Sequence, residues 1–424
     1  MNPAHPIPPK RKGALRVVHT ADWHLGKPLA DLDRTEDFRH FLAFLLETLI
    51  ATQADALLVA GDVFDGATPP KAAERLYYDF LSALYRETSC EAVITAGNHD
   101  SPSQLEAPKT LLGVLRTRVS ATVPADKAEW LIPLPSAENA ALVVAAVPFL
   151  RERDLRTGRL GQSAAEIERD LREGIRARYR ETAEAAADWT RRGVPLVAMG
   201  HLTALGSAVS ESEREIHVGG LGQVGADAFP GEFAYVALGH LHRPQSVGGL
   251  DHIRYSGSPL ALSFGEAADA KELRFLDFEE GALRSSVALP VPQPRTLAVL
   301  KTPAAGLKTA LADFQPRPSE LMPWVEVVVE GGLPGAELYE EVQELAKGRP
   351  FQVVKVSAEN EAARPGLELT DRQADQEAED LLSDPKAVFQ RRLDAEPDLD
   401  EGSRVALETA FAELYNRYLE APAQ

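Results

Sequence analysis

The sequence predicts an α/β protein: a layered sandwich of mostly parallel strands, then a small α+β domain and a C-terminal helix pair. Three observations carry that expectation. Apolar runs of strand length alternate with helical periodicities from residue 15 to about 288. The segment Leu289-Pro-Val-Pro-Gln-Pro-Arg295 then breaks the composition and reads as a linker. Beyond it, five short elements in βαβαβ order precede two further helix patterns.

The strand runs lie at residues 15–18, 57–59, 93–94, 196–197 and 235–238, with further strands at 142–147 and 253–255. Helices are expected at 34–52 after Asp33, at 71–86 after Pro69-Pro70, and along a charged amphipathic stretch at 164–192. Past the linker, strands at 296–300, 324–329 and 351–356 enclose helices at 306–314 and 336–347. A second break falls near 362–366. Asp384-Pro385 is an N-cap followed by a first-turn proline, opening a helix at 386–393. Leu407, Phe411, Leu414 and Tyr418 then form one apolar stripe. Two such short helices cannot bury that stripe alone, so they either pack on the preceding domain or receive a partner helix. The expected boundaries are a disordered tail at 1–14, a first domain at 15–288, a second at 289–365 and a helical region at 366–424.

Composition narrows the class. The 424 residues are 44% hydrophobic and 26% charged, as in globular proteins, and no apolar run approaches membrane-spanning length. The Pro-rich start carries Lys10, Arg11 and Lys12 but no apolar stretch of the signal-peptide kind. A cytoplasmic location without membrane attachment is expected. Cys90 is the only cysteine, which excludes a disulfide framework and a cysteine metal site. The net charge of −19 argues against a protein that coats nucleic acid unaided. It does not argue against a nuclease whose metals and partner supply the positive charge.

The strand ends carry the chemistry. They deliver Asp22-Trp23-His24, Gly61-Asp62-Val63-Phe64-Asp65, Gly97-Asn98-His99-Asp100, Gly200-His201 and Gly239-His240-Leu241-His242. Open α/β sheets bind ligands at that rim. Carboxylates, imidazoles and one carboxamide gathered there suit two divalent ions sharing a carboxylate, which activate water against a phosphate ester. Asp62 is the expected bridge. Asp22, His24 and His242 would join it on the first metal, and Asn98, His201 and His240 on the second. The glycines before the ligands are read as permitting tight strand-to-loop turns. His99 should face the substrate, with Asp65 hydrogen-bonded to it so that the imidazole stays protonated and oriented. Asp100 is read as a cap for the turn at Ser101-Pro102. His5, His40 and His252 read as surface or core residues, and His19 as packing inside the first strand. His217, beside Val218-Gly219-Gly220, is either a loop residue or one that reaches the substrate.

The order of these motifs resembles that of the calcineurin-like metallophosphoesterases, whose fold would be an α-β-β-α sandwich. Their surroundings are more specific: His19-Thr-Ala-Asp-Trp-His-Leu-Gly26, Val59-Ala-Gly-Asp-Val-Phe-Asp65 with Thr68-Pro-Pro70, Ala96-Gly-Asn-His-Asp-Ser101, and Tyr255-Ser-Gly-Ser-Pro-Leu260. These resemble the nuclease subunits of bacterial double-strand-break repair complexes, strongly over residues 15–288 and by architecture beyond. The resemblance implies two manganese ions, endonuclease action on single strands and hairpins, and 3′ to 5′ exonuclease action on duplex ends. It implies a coiled-coil ATPase partner in a heterotetramer and a homodimer formed through the helices at 71–86 and 104–115. Residues 296–356 would then be a DNA-selecting cap, and 384–418 the helix pair docking on the coiled coil. Some relatives carry a histidine where this chain has Asp65, which removes a second catalytic imidazole.

Two other function classes fit less well. A phosphatase or cyclic-nucleotide phosphodiesterase could use the same metal core. Protein phosphatases of this resemblance, however, place Arg after the second Asp and end the third motif in Glu, where this chain has Asp65-Gly66 and Asp100. A scaffold that had lost its metals would have no need of the complete ligand set. Lys301, Lys308 and Lys355 in the cap read as a solvated face rather than a DNA contact.

Overall fold

Strand and helix alternate through the first half of the chain as β1 (Leu15–Thr20), α1 (Thr35–Thr52), β2 (Ala56–Ala60), α2 (Lys71–Glu87), β3 (Glu91–Thr95), α3 (Pro102–Glu106), α4 (Lys109–Val114) and β4 (Thr117–Ser120). The structure is a computed structural model that describes residues 7–157, 162–205, 207, 223–331, 335–359, 404 and 411. The second half of the sandwich runs β5 (Leu131–Leu134), β6 (Leu142–Ala146), α5 (Glu152–Leu155), α6 (Ala164–Ala185), α7 (Ala187–Arg191), β7 (Leu196–His201), β8 (Phe233–Gly239), β9 (Gln245–Val247) and β10 (Leu250–Tyr255). Two long strands, β11 (Glu272–Glu279) and β12 (Ala282–Pro290), then return to the first sheet.

The first sheet has the order β12-β11-β1-β2-β3-β4 and the second β5-β6-β7-β8-β10-β9. Within them β1 to β4 run parallel, as do β6, β7, β8 and β10. The sheets face each other through Val17, Leu58 and Val93 on one side and Val144, Val197 and Tyr235 on the other. Strands covered on both faces must be apolar throughout, which is why every residue of β2 is buried. Helix α1 buries Phe38, Phe41, Leu42, Leu45 and Leu49, one helical stripe, against the outer face of the first sheet. On the outer face of the second, α6 contributes Ile175, Tyr179 and Ala183. The result is the α-β-β-α sandwich expected from the sequence. His19 joins its two sheets: Nδ1 lies 3.1 Å from the Tyr235 hydroxyl, and burial pushes the imidazole down to about 3, so it is neutral.

A three-stranded parallel sheet follows, with β13 (Arg295–Pro303), α8 (Leu307–Asp313), β14 (Leu321–Glu330), α9 (Ala336–Ala346) and β15 (Gln352–Glu359). Leu307, Leu311 and Val342 from its helices pack on Val325, Val327 and Val329. Its Leu297 and Trp324 pack instead on Leu29, Ala261 and Phe264 of the sandwich. Arg295 stacks on Trp324 at 4.1 Å and pairs with the buried Asp37 at 3.2 Å. The Gln293 side chain accepts from the Ala261 amide at 3.1 Å and donates to the Pro259 carbonyl at 3.0 Å. The proline-rich segment is therefore a pinned connection, and residues up to Glu359 form one compact unit.

Several expectations change. Residues 7–14 do not belong to a disordered tail, because Ile7 is buried, Lys10 pairs with Asp55 at 2.6 Å, and the Pro8 carbonyl accepts from Arg16. The helix expected around 104–115 is two, divided at Ala107-Pro108, and that expected at 164–192 divides at Ala186. In the three-stranded sheet, Lys355 pairs with Glu326 at 2.9 Å and Lys301 with Glu330 at 3.6 Å. His217 and the helix pair at 384–418, apart from Arg404 and Phe411, lie outside the described residues. Among the described residues no helix is long and apolar enough to cross a membrane.

Candidate metal centre

The parallel strands of both sheets end at one rim. There the loops after β1 and β2 are joined by backbone hydrogen bonds from Asp22 to Gly61, His24 to Asp62 and Leu25 to Val63, at 2.9–3.0 Å. Asp22, His24 and Asp62 hold φ of 53°, 46° and 50°, and His240, at the end of β8, holds 101°. Left-handed backbone at non-glycine residues costs about 1–3 kcal/mol each, so the surrounding packing must impose it, and such strain gathers at functional sites. Gly61 also requires the left-handed region, with φ 85°. Gly97 does not. A side chain there would overlap Asp62 Oδ1, so Gly97 is required for close approach rather than for the turn expected from the sequence.

Asp62 stands at the centre. Its Oδ1 accepts from the His99 amide at 2.9 Å, and its Oδ2 lies 3.4 Å from Nε2 of both His24 and His201. One oxygen is thus fixed by backbone and the other is presented between two imidazoles. On one side Asp22, His24 and His242 place donor atoms within 4.8 Å of one another, and on the other Asp22, Asp62 and His201 do so. The Asn98 Oδ1 lies 3.0 Å from His201 Nε2 and 3.0 Å from His240 Nδ1. All seven residues read from the sequence as metal ligands are gathered within this cluster.

The donor set fits metal ions by a second criterion. Three histidines have their other ring nitrogen engaged outside the cluster: His24 Nδ1 by Asp65 Oδ1 at 3.2 Å, His201 Nδ1 by the Ala60 carbonyl at 2.9 Å, and His242 Nδ1 by Glu266 Oε1 at 2.9 Å. Such partners fix the tautomer that leaves Nε2 for a metal. Asp22 Oδ2 and Nε2 of His24 and His99 are buried without a hydrogen bond, an arrangement that favours a ligand over a purely structural role.

Electrostatics follow from burial and crowding. Burial raises Asp22 to about 7, against the pull of His201. Burial also acts to raise Asp62, but His201 and His24 outweigh it and hold that carboxylate well below the usual range. Burial lowers His24 to about 4. It would lower His201 as well, yet Asp62 and Asp22 carry that imidazole up to about 9.

His99 and Asp65 are neighbours, but not in the way the sequence suggested. His99 Nδ1 donates to the Asp65 backbone carbonyl at 2.8 Å, while the Asp65 carboxylate faces His24 and accepts from Lys27 Nζ at 3.0 Å. The carbonyl fixes His99 Nδ1 as a donor and leaves Nε2 toward the site. Asp100 is structural, though not as a cap: its carboxylate accepts from the amides of Val63, Phe64 and Gly97 at 2.8–3.1 Å, tying the β2 and β3 loops together. The sequence pattern did not reveal Glu266 and Lys271. Glu266 is fully buried, and Lys271 Nζ pairs with it at 2.7 Å while donating to Ser258 Oγ at 2.8 Å. The only local signal for Glu266 is its place between Phe264 and the charged run at 271–272.

Residues 15–244 match the family described as calcineurin-like phosphoesterase, and residues 293–396 the one described as Type 5 capsule protein repressor C-terminal domain. The SbcCD nuclease D subunit of Escherichia coli (strain K12) is 35% identical over 399 residues, 94% of this chain and 97% of its own. Its namesake from Rhodobacter capsulatus is 42% identical over 300 residues, 69% of this chain and 72% of its own. That from Bacillus subtilis (strain 168) is 37% identical over 273 residues, 63% of this chain and 67% of its own. Fold and site together define a metal-dependent phosphoesterase, a phosphodiester hydrolase that binds divalent metal. The chain belongs to the calcineurin-like phosphoesterases and, within them, to the family of the SbcCD nuclease D subunits.

Proposed function

We propose that this protein is a manganese-dependent DNA nuclease that works with the ATPase SbcC in break repair and recombination in the cytoplasm, opening single strands and hairpins internally and digesting duplex ends 3′ to 5′. The observation that carries the chemistry is the Asp62 Oδ2 set 3.4 Å from Nε2 of both His24 and His201. Asp22, His24, Asp62 and His242 would hold one ion, and Asp62, Asn98, His201 and His240 the other. Held there, divalent ions would supply polarisation of the phosphoryl oxygens and activation of a water.

The chain's own groups do the rest. The His99 amide holds Asp62 Oδ1, so this carboxylate would meet the metals already oriented. With Nδ1 donating to the Asp65 carbonyl, His99 would turn Nε2 to the substrate, where the imidazolium form would stabilise the departing oxygen. Asp65 orients His24 through its carboxylate and His99 through its carbonyl. Exposed Tyr78 and Tyr85 on α2 with Leu111 and Val114 on α4 support a homodimer through that face, and residues 366–424 are the proposed SbcC-docking region. The test is cleavage of a hairpin-ended duplex, with p-nitrophenyl phosphate alongside, in manganese or magnesium, with and without SbcC and ATP. Manganese-dependent DNA cutting that rises with SbcC and is lost in Asp62→Asn is expected. Turnover of the small ester with intact DNA would move the protein to the phosphatases.

A further inference from the structure

Beside the second metal position lies a cavity of about 370 Å³ that the chemistry above does not use. Asn98, His201 and His240 form its inner wall, and Phe149, Leu150, Leu155, Leu171 and Ile175 much of the remainder. Its volume is that of a small-molecule site, for which roughly 300–1,000 Å³ is usual. Leu171 and Ile175, on α6, are buried, and Phe149 is half-buried with its ring 6.2 Å from that of His201. The Phe149 amide donates to the Ala96 carbonyl at 2.8 Å, which fixes this wall to the loop carrying Asn98. Tyr179 also borders the cavity, but its hydroxyl is engaged by the Met199 carbonyl at 3.3 Å.

The lining decides what can enter. No lysine or arginine is among the described lining residues, so a second phosphate would find no partner there. The one carboxylate, Glu152, is paired with Arg156. What fits is an uncharged, flat, largely apolar group covalently attached to a phosphodiester at the metals. We propose that this cavity is a nucleobase subsite, taking the unpaired base next to the scissile linkage against Phe149. The inference rests on the DNA-nuclease reading and deepens it. A base within a duplex could enter only after extrusion, at a cost of a few kcal/mol, whereas a base in a single strand or hairpin loop enters without it. Leucine, isoleucine and phenylalanine dominate the wall away from the rim cluster, where Thr203, Tyr179 and the Arg156-paired Glu152 are the other polar side chains. The subsite would therefore favour unpaired nucleotides with little selection of sequence.

The test uses the full chain with manganese and a single-stranded oligonucleotide in which one abasic residue is moved position by position. In the unaltered protein, cleavage at the linkage beside the abasic residue should fall about ten-fold, the magnitude of one lost base–aromatic stack. Phe149→Ala should lose a similar factor on the intact strand and nothing further beside the abasic residue. Leu155→Trp, filling the cavity from a half-buried position, should behave in the same way. Equal cleavage of abasic and intact strands by the unaltered protein overturns the subsite, as do variant and abasic losses that simply multiply. Failure to cut any strand would instead overturn the nuclease reading on which the subsite rests.

Discussion

His242 Nδ1 lies 2.9 Å from Glu266 Oε1, and Glu266 is fully buried. Burial acts to raise that carboxylate, but the His242 hydrogen bond and Lys271 outweigh it and keep it ionised. Lys271 closes the network by donating to the His242 carbonyl at 3.1 Å. A histidine of the candidate metal centre is thus held in one tautomer by a carboxylate that is itself held by an ammonium. Glu266→Ala would leave the Lys271 charge buried and unpaired, costing about 3–5 kcal/mol. It should also weaken manganese binding about 10–100-fold. Glu266→Gln keeps an acceptor for His242 and should recover much of the metal affinity but less of the stability. Thermal unfolding and calorimetric titration of metal separate the two effects.

His99→Ala should abolish cleavage while leaving metal binding and the affinity for DNA nearly intact, because the imidazole faces the site through an unbonded Nε2 while its Nδ1 is held by a backbone carbonyl. Metal counts and DNA binding on the inactive variant check this. Loss of metal would assign His99 to coordination instead.

Asp65→Asn has a different expected signature. The carboxylate contacts His24 and Lys27, whereas His99 is served by the main chain, which the substitution leaves in place. Metal affinity should therefore fall more than the rate at saturating metal. A fall in rate at saturating manganese with unchanged affinity would restore the carboxylate–His99 pairing expected from the sequence.

Metal loading should be pH-dependent. Burial notwithstanding, Asp62 and Asp22 raise His201 to about 9, and burial raises Asp22 to about 7, so at neutral pH these groups retain protons in the metal-free protein. Metal competes with those protons. Affinity should climb as pH rises toward about 9, and loading near neutral pH should release protons. Titration in buffers of different ionisation enthalpy measures the release.

Gly97→Ala should be more damaging than its size suggests. The added carbon would overlap Asp62 Oδ1, displacing the carboxylate or the loop that bears Asn98. Loss of the second metal and of activity is expected, with a folded protein by circular dichroism.

The residues of the rim cluster were legible because most of them follow an apolar run. A strand of period two ending in Gly-Asp or Gly-His places a ligand at a rim wherever the sheet forms. The sandwich was legible for the same reason, since β2 and β6 are apolar along their whole length. What escaped was set by long-range packing. Glu266 is 24 residues from His242, at the end of a single 3-10 turn (Phe264–Glu266) too short for a period to mark it. Asp65 and His99 pair in the sequence pattern, yet the Asp65 carboxylate turns to His24 because the backbone carbonyl already serves His99. Residues 7–14 look like a polar tail, but the Lys10 ammonium on Asp55, the buried Ile7 and the Pro8 carbonyl accepting from Arg16 fasten them down.

The two-metal proposal turns on Asp62 serving both ions. The most direct measurement is electron paramagnetic resonance of the manganese-loaded chain, with the bound metal counted in the same sample. Two ions per chain with the spectrum of an exchange-coupled pair are predicted, with the coupling lost together with DNA cleavage in Asp62→Asn. One ion per chain, or two without coupling in an active enzyme, would contradict the account.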